Sequence, residues 1–199
     1  MIEYHDVFVS HLANNDKILY KVVMQNGPIL LPESIPPFEH LIRIISGQQL
    51  SVKAAATIYS RVNDYLGQGY TPLDVLNTAD EKLRKLGLSK SKTTYVKAVA
   101  EAAIENGSAF ENLKDHSNDQ VLKELTAIKG LGIWSAQMFL MFQMKRPDVF
   151  APGDLGLKKA MSNLYGYSLA ENEKFWDEKA IVWAPYRTLA SLHLWKSLS

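Results

Sequence analysis

No cysteine occurs in the 199 residues of this chain. That absence excludes disulfides, thiolate zinc sites, a cysteine nucleophile and a cysteine-held iron–sulfur cluster together. An excess of charge of one sign is also missing. The 22 Lys and Arg residues stand against 21 Asp and Glu, a formal net charge of +1. Bulk electrostatics therefore do not announce a nucleic-acid partner, and any basic surface has to be local. No apolar run approaches the length of a membrane span. The first residues, MIEYHDVFVSHLANNDK, carry charges where a signal peptide would be apolar. A cytoplasmic protein without a membrane partner is the expectation. There is no low-complexity linker and no repeat of solenoid period. The five histidines show no metal-ligand spacing with one another.

What is present reads as helix almost throughout, so the expected fold class is all-α. The composition, 47% hydrophobic and 22% charged, is ordinary for a globular chain long enough to bury a core. PFEHLIRIISGQQ (37–49) has apolar residues at helical spacing, and SVKAAATIYSRVNDYLG (51–67) starts at a cap-like Ser51 and stops at Gly67. TPLDVLNTA (71–79) and DEKLRKLG (80–87) read as short helices, and SKTTYVKAVAEAAIENG (91–107) as an amphipathic one. SNDQVLKELTAIKG (117–130), IWSAQMFLMFQM (133–144), DLGLKKAMSNLYG (154–166), LAENEKFWDEKAIVW (169–183) and PYRTLASLHLWKSL (185–198) follow. Only KILYKVVMQNG (17–27) and DVFA (148–151) allow strands. GPILLPESIPP (27–37) is the main loop signal and a crossing between subdomains.

A helix ending at Gly130, a turn of two or three residues and a new helix near Ile133 make a helix–hairpin–helix. Glycines at 130 and 132 permit positive φ and close approach of another backbone. The N–H groups at the start of the second helix form an anion site suited to phosphate. A tight corner between two helices, without a ligand, has the same local pattern.

The flanking segments extend the pattern. LTAIKGLGIWSAQMFL (125–140) followed by DVFAPGDLGLKKAM (148–161) resembles the helix–hairpin–helix, Gly/Pro-rich, aspartate (HhH-GPD) superfamily of DNA glycosylases, most closely its 3-methyladenine DNA glycosylase branch. LIRIISGQQLSVKAAATIYSRV (41–62), GLSKSKTTYVKAVA (87–100) and WAPYRTLASLHLW (183–195) resemble further segments of that branch, in the same order. The resemblance implies two helical lobes with a cleft between them. One lobe would be residues 37–146 with the hairpin, the other 1–36 plus 147–199 with the catalytic aspartate.

It also implies roles. Asp154 is the catalytic carboxylate, although alone it reads as a helix N-cap after Pro152-Gly153. One anion can suffice, because N-glycosidic cleavage develops positive charge on the deoxyribose, which the carboxylate stabilises while orienting or deprotonating water. A base alkylated at N3 or N7 is already cationic and leaves without a strong general acid. Strand-nicking members carry a Schiff-base lysine where this chain has Trp134, so the implied enzyme is monofunctional and leaves an abasic site. Trp134, Met138 and Trp195 match pocket positions for a flipped base, with Tyr186 and Trp183 as further candidates; each side chain also reads as plain core. Gln49, with Leu50 next, would fill the hole in the duplex, and Gln48 would brace the turn. Lys129, Gly130, Leu131 and Gly132 would hold the DNA backbone.

No cofactor is implied beyond a sodium or potassium ion on the carbonyls of Thr126, Ile128 and Gly130. Asp148 reads as a surface turn residue, Lys158 and Lys159 as a solvated face and His193 as a buried structural histidine; Arg187 reads either as structural, pairing with a carboxylate or holding the final helix, or as a DNA contact. The implied partner is double-stranded DNA with alkylated bases, met by a monomer. Two other functions fit part of the pattern: a glycosylase for deaminated or etheno-adduct bases, and a non-catalytic hairpin module that binds DNA.

Overall fold

The structure, a computed structural model, describes residues 4–31, 33–108 and 110–198. The chain divides into two compact units. The terminal unit is Met1–Glu33 with Lys145–Ser199, and the central unit is Ser34–Met144. Among the described residues there is no strand.

The terminal unit begins with α1 (His5–Asn15) and α2 (Lys17–Asn26), which meet at Asp16. Asp16 Oδ1 accepts the N–H groups of Ile18 and Leu19, which starts the second helix. The segment 17–27, where the sequence allowed a strand, is therefore a helix over Lys17–Asn26. Its β-branched content is overridden by the cap and by the i, i+3, i+4 spacing of the buried Leu19, Val22 and Val23.

The central unit is built around α3 (Pro37–Gly47). Phe38, Leu41, Ile42, Ile44 and Ile45 are all buried there, and each such side chain stabilises the fold by roughly 1.5–3 kcal/mol relative to exposure. A helix apolar on most faces belongs in a core; accordingly α3 packs on α4 (Val52–Leu66), on α7 (Lys90–Asn106) and on α9 (Ile133–Met138). Between α4 and α7 lie α5 (Pro72–Asn77) and α6 (Asp80–Lys85). Ser51 and Ser89 cap α4 and α7, while Thr71 with Asp74, and Ser117 with Gln120, form capping boxes on α5 and on α8 (Asn118–Thr126). The helix expected to reach Gly130 stops at Thr126, and residues 127–131 turn instead, with Ile128 N–H donating to Leu125 O and Leu131 N–H to Ile128 O. The single helix expected over 133–144 is α9 followed by a π-helical turn, Phe139–Gln143.

The terminal unit resumes with α10 (Leu155–Tyr165), α11 (Glu173–Ala180), a 3₁₀ turn (Ile181–Trp183) and α12 (Arg187–Lys196). Every residue from Thr188 to Leu194 is buried, so α12 is the core helix of this unit and packs on α2 and α10. The Asp16 carboxylate joins three elements here: its Oδ2 accepts from Tyr165 OH at 2.6 Å and from Trp183 Nε1–H at 2.8 Å. The second candidate strand, 148–151, is irregular chain leading to α10.

Candidate functional site

In the terminal unit, α12 places the PGDLG stretch from both of its ends. At its start, Thr188 Oγ1 donates to Arg146 O (2.6 Å) and accepts from Val149 N–H (3.0 Å), and Thr188 N–H donates to Pro147 O (2.9 Å). Arg187 grips the same segment: Nε–H donates to Asp148 Oδ1 at 2.7 Å and Nη2–H to Oδ2 at 3.0 Å, a bidentate pair. Asp148 is thus a half-buried ion-pair partner, which corrects its reading as a surface turn residue. The guanidinium is raised above its ordinary pKa first of all by that hydrogen-bonded carboxylate. Of the two sequence readings of Arg187, pairing with a carboxylate holds.

At the other end of α12, Trp195 Nε1–H donates to Asp154 Oδ1 at 2.9 Å. The same oxygen accepts Leu157 N–H at 2.8 Å, so Asp154 caps α10. Asp154 N–H in turn donates to Ala151 O (3.0 Å), closing the Ala-Pro-Gly-Asp turn. A half-buried carboxylate is thereby fixed by its own backbone, by the first turn of a helix and by an indole. A helix start also favours negative charge there.

The other aromatic candidates divide. Trp183 is 1% exposed, donates to Asp16 and stands edge-on to Phe150 at 5.9 Å. It is core, which corrects its place among the pocket candidates. Tyr186 is half-buried beside the rings of Tyr4, Phe8 and His11. His193 is buried, with Asn26 Nδ2 at 3.3 Å from its Nδ1, and burial lowers its pKa to about 4. The reading as a structural histidine stands.

In the central unit the hairpin and the SGQQLS turn are tied to each other. Gln48 Nε2–H donates to Gly130 O at 2.8 Å and to Ser135 Oγ at 3.0 Å. Lys92 Nζ donates to Ser46 O at 2.9 Å, and burial lowers its pKa. Gln49, expected as the wedge, is exposed and held at φ +57, a left-handed conformation that is strained for a non-glycine residue. Leu50 is 42% exposed beside it. The two hairpin glycines differ. Gly130 has φ +95, and a Cβ there would overlap the ring of Tyr95; Gly132 has φ −96, and a Cβ there meets nothing within 4 Å. Gly132 is the N-cap of α9, where no side chain caps the helix.

Around the hairpin, Lys129 is exposed, whereas Leu131 is buried at 4% exposure and its side chain belongs to the core. Trp134 is half-buried and Met138 is 6% exposed. The carbonyls of Ile128 and Gly130 each accept one hydrogen bond, from Leu131 N–H and Gln48, and each oxygen has a second lone pair. Neutral carbonyls with no carboxylate suit a monovalent cation rather than a divalent one. Among the described residues no group of three or more His, Cys, Asp or Glu could hold a metal, and no helix is long and apolar enough to cross a membrane.

The sequence does not announce Lys92 and Tyr95 as site-building residues, although both lie in the GLSKSKTTYVKAVA segment, and it gives Gln48 only a bracing role.

Residues 42–185 match the model of the HhH-GPD superfamily base excision DNA repair protein. The chain is 32% identical to DNA-3-methyladenine glycosylase 1 of Schizosaccharomyces pombe over 96% of its own length and 86% of that protein's. The structure of the S. pombe 3-methyladenine DNA glycosylase Mag1, solved in complex with abasic DNA, superposes with a TM-score of 0.89 at 30% identity, covering 96% of this chain and 95% of that one. A DNA-3-methyladenine glycosidase from Bacillus halodurans matches with a TM-score of 0.77 at 38% identity, covering 96% and 88%. On the family model and on these likenesses, the chain belongs to the HhH-GPD superfamily of base excision DNA repair proteins.

Proposed function

We propose that this protein is a monofunctional DNA glycosylase that flips an alkylated base of the 3-methyladenine or 7-methylguanine type out of double-stranded DNA and hydrolyses its N-glycosidic bond, leaving an abasic site. The observation that carries this reading is the Asp154 carboxylate, held at one oxygen by both Leu157 N–H and Trp195 Nε1–H. A fixed anion of this kind costs no reorganisation when the sugar becomes positive, which is where electrostatic catalysis gains most. In the step itself the base leaves with the bonding electron pair, and a water oxygen bonds to C1′. The proton of that water goes to solvent or to the carboxylate. An N3- or N7-alkylated purine departs neutral because it began as a cation.

The central unit serves DNA binding in this reading. Gly132 is neither required by its φ nor packed against a neighbour, so a bare backbone there suits an approaching phosphate. Backbone donors carry no sequence information, which fits an enzyme that must inspect any sequence. Lys129 adds a positive charge next to that turn, and Thr126, Ile128 and Gly130 would hold the monovalent cation. Gln49, exposed on its strained turn with Leu50 behind it, takes the place of the flipped nucleotide. Trp134 offers the ring for stacking on a cationic base, an attraction of about 1–2 kcal/mol when desolvated. Trp195, Tyr186 and Met138 are the other candidates for the base pocket.

The test is release of free bases from methylated duplex DNA, resolved by chromatography. Methylated purines should appear and the strand should stay intact. No release from methylated DNA, with release from deaminated or etheno-containing duplex, would move the substrate assignment to those bases; no release from any would leave a binding module.

A further inference from the structure

Gly156 stands at the second position of α10, in the turn that Asp154 caps. Its backbone is ordinary helix, so no positive φ calls for glycine there. Glycine inside a helix is unfavourable relative to alanine, and α10 therefore carries this residue at a cost to its own stability. The surroundings give the reason. A Cβ at this position would lie 3.0 Å from Asp154 Oδ1, 3.0 Å from Trp195 Cδ1 and 3.0 Å from Trp195 Nε1. These are the two atoms of the Trp195–Asp154 hydrogen bond and the ring carbon beside the donor. The side-chain carbon that Gly156 lacks leaves the space through which the indole edge reaches the carboxylate.

We infer that Gly156 is a positioning residue for base release: it allows Trp195 to fix Asp154, and it acts through that contact rather than through α10. This rests on the reading of Asp154 as the catalytic carboxylate. The consequence is particular. A single methyl group at 156 has to push the indole and the carboxylate oxygen apart by a few tenths of an ångström, lengthening a 2.9 Å bond toward the limit of hydrogen bonding. Alanine is the better helix former, but the same methyl group presses on the oxygen that caps α10. The mark of a positioning role is a loss of release rate at unchanged DNA affinity that shrinks once Trp195 is gone, which loss of a merely structural glycine would not produce.

The experiment measures single-turnover release of 7-methylguanine from a methylated duplex at saturating enzyme, affinity for an abasic-site duplex, and the melting temperature. Five variants are compared with the native protein: Gly156→Ala, Gly156→Val, Trp195→Ala, the Gly156→Ala/Trp195→Ala double variant and Asp154→Asn. Gly156→Ala should lower the release rate about five- to tenfold with DNA affinity unchanged, while the melting temperature reports separately what the crowding does to the fold. Gly156→Val should lower the rate further. In the Trp195→Ala background the same Gly156→Ala change should cost clearly less than in the native protein, since of the atoms it crowds only Asp154 Oδ1 remains. If Trp195→Ala fails to fold, Trp195→Phe, which keeps a ring and loses the donor, shows by its own rate loss whether the N–H matters. Native release rates in Gly156→Ala, or an undiminished loss in the Trp195→Ala background, would overturn the inference. Native release in a folded Asp154→Asn protein would instead overturn the catalytic assignment itself, so the two failures are told apart.

Discussion

The helices α9 and α10 both begin in a glycine-containing turn, and they solve the same problem in opposite ways. The first N–H groups of any helix lack intrahelical partners. At α10 the chain supplies its own anion: Asp154 accepts Leu157 N–H and fills the helix start with a carboxylate. At α9 it supplies nothing, because Gly132 has no side chain with which to cap. One terminus holds a negative charge in place, and the other is left able to take one. A fixed anion is what a developing sugar cation needs, and an uncapped helix start is what a phosphate needs. The two PGD and GLG motifs, similar as turns, thus differ in sign.

The largest effect should come from cancelling the charge at α10. Asp154→Asn keeps a side chain that caps about as well as aspartate and an oxygen that accepts from Trp195, so the fold persists. Only the negative charge is lost. Base release should fall by a factor of roughly 100 or more, since one preorganised electrostatic partner is typically worth about 3 kcal/mol, while binding to an abasic-site duplex is retained. A folded Asp154→Asn protein with full activity would leave α10 with a cap and nothing more.

The two glycines of the α9 turn sharpen the contrast next. Gly130→Ala forces φ +95 on alanine and a methyl group into the Tyr95 ring, and should destabilise the protein by about 3 kcal/mol in urea unfolding. Gly132→Ala meets no neighbour and tolerates its φ, so stability should stay within about 0.5 kcal/mol of native. Its effect should fall on DNA: a methyl group between the backbone and a phosphate should weaken binding about tenfold, on the order of 1.4 kcal/mol. Unchanged DNA affinity in Gly132→Ala would remove the hairpin from the DNA-binding surface.

Much of this was legible in the sequence because it is local. Asp154, Ser51, Ser89 and Ser117 cap helices whose starts a single residue announces. The long-range contacts were not legible. Gln48 meets Gly130 across 82 positions, and nothing in SGQQLS says which carbonyl it will find. Trp183 and Trp195 sit in one closing motif, WAPYRTLASLHLW, yet the first lies in the core against Asp16 and the second on Asp154. Which face of a short segment each ring takes is decided by the 3₁₀ turn and the start of α12, and periodicity does not resolve those. The strand reading of 17–27 failed for a related reason. Residue type pointed to strand, while Asp16 and the burial period had already specified a helix.

Each unit also buries one neutral histidine, His40 in the central unit and His193 in the terminal one. Burial, aided by nearby cations, lowers both to about 4. In the unfolded chain each titrates near 6.5. Unfolding therefore takes up protons between those values, so stability is fully present above about pH 6.5 and is lost as pH falls toward 4. Each histidine should cost about 2 kcal/mol between pH 7 and pH 5. His40→Gln and His193→Gln should each flatten the pH dependence of urea unfolding. Equal slopes in native and variant proteins would show that neither group carries it.

The smallest expected effect is none, and it concerns the side chains of α9. Two residues after Gly132 stands Trp134, which has no amine to form a Schiff base with the sugar. The nearby Lys129 precedes both glycines, in the 127–131 turn rather than on α9. Base release should therefore occur without strand scission. End-labelled alkylated duplex, run on a denaturing gel after the enzyme step, should break only when alkali is added. Borohydride present during the reaction should trap no protein–DNA adduct. Trp134→Lys should not turn the protein into an efficient lyase, because the change also deletes the ring offered to the cationic base, and release of 7-methylguanine should fall. Breaks without alkali together with a trapped adduct in the native protein would mean that another lysine attacks the sugar. Loss of the adduct in Lys129→Gln would then identify the nucleophile, and the 127–131 turn would deliver an amine to the sugar rather than only present its backbone to a phosphate.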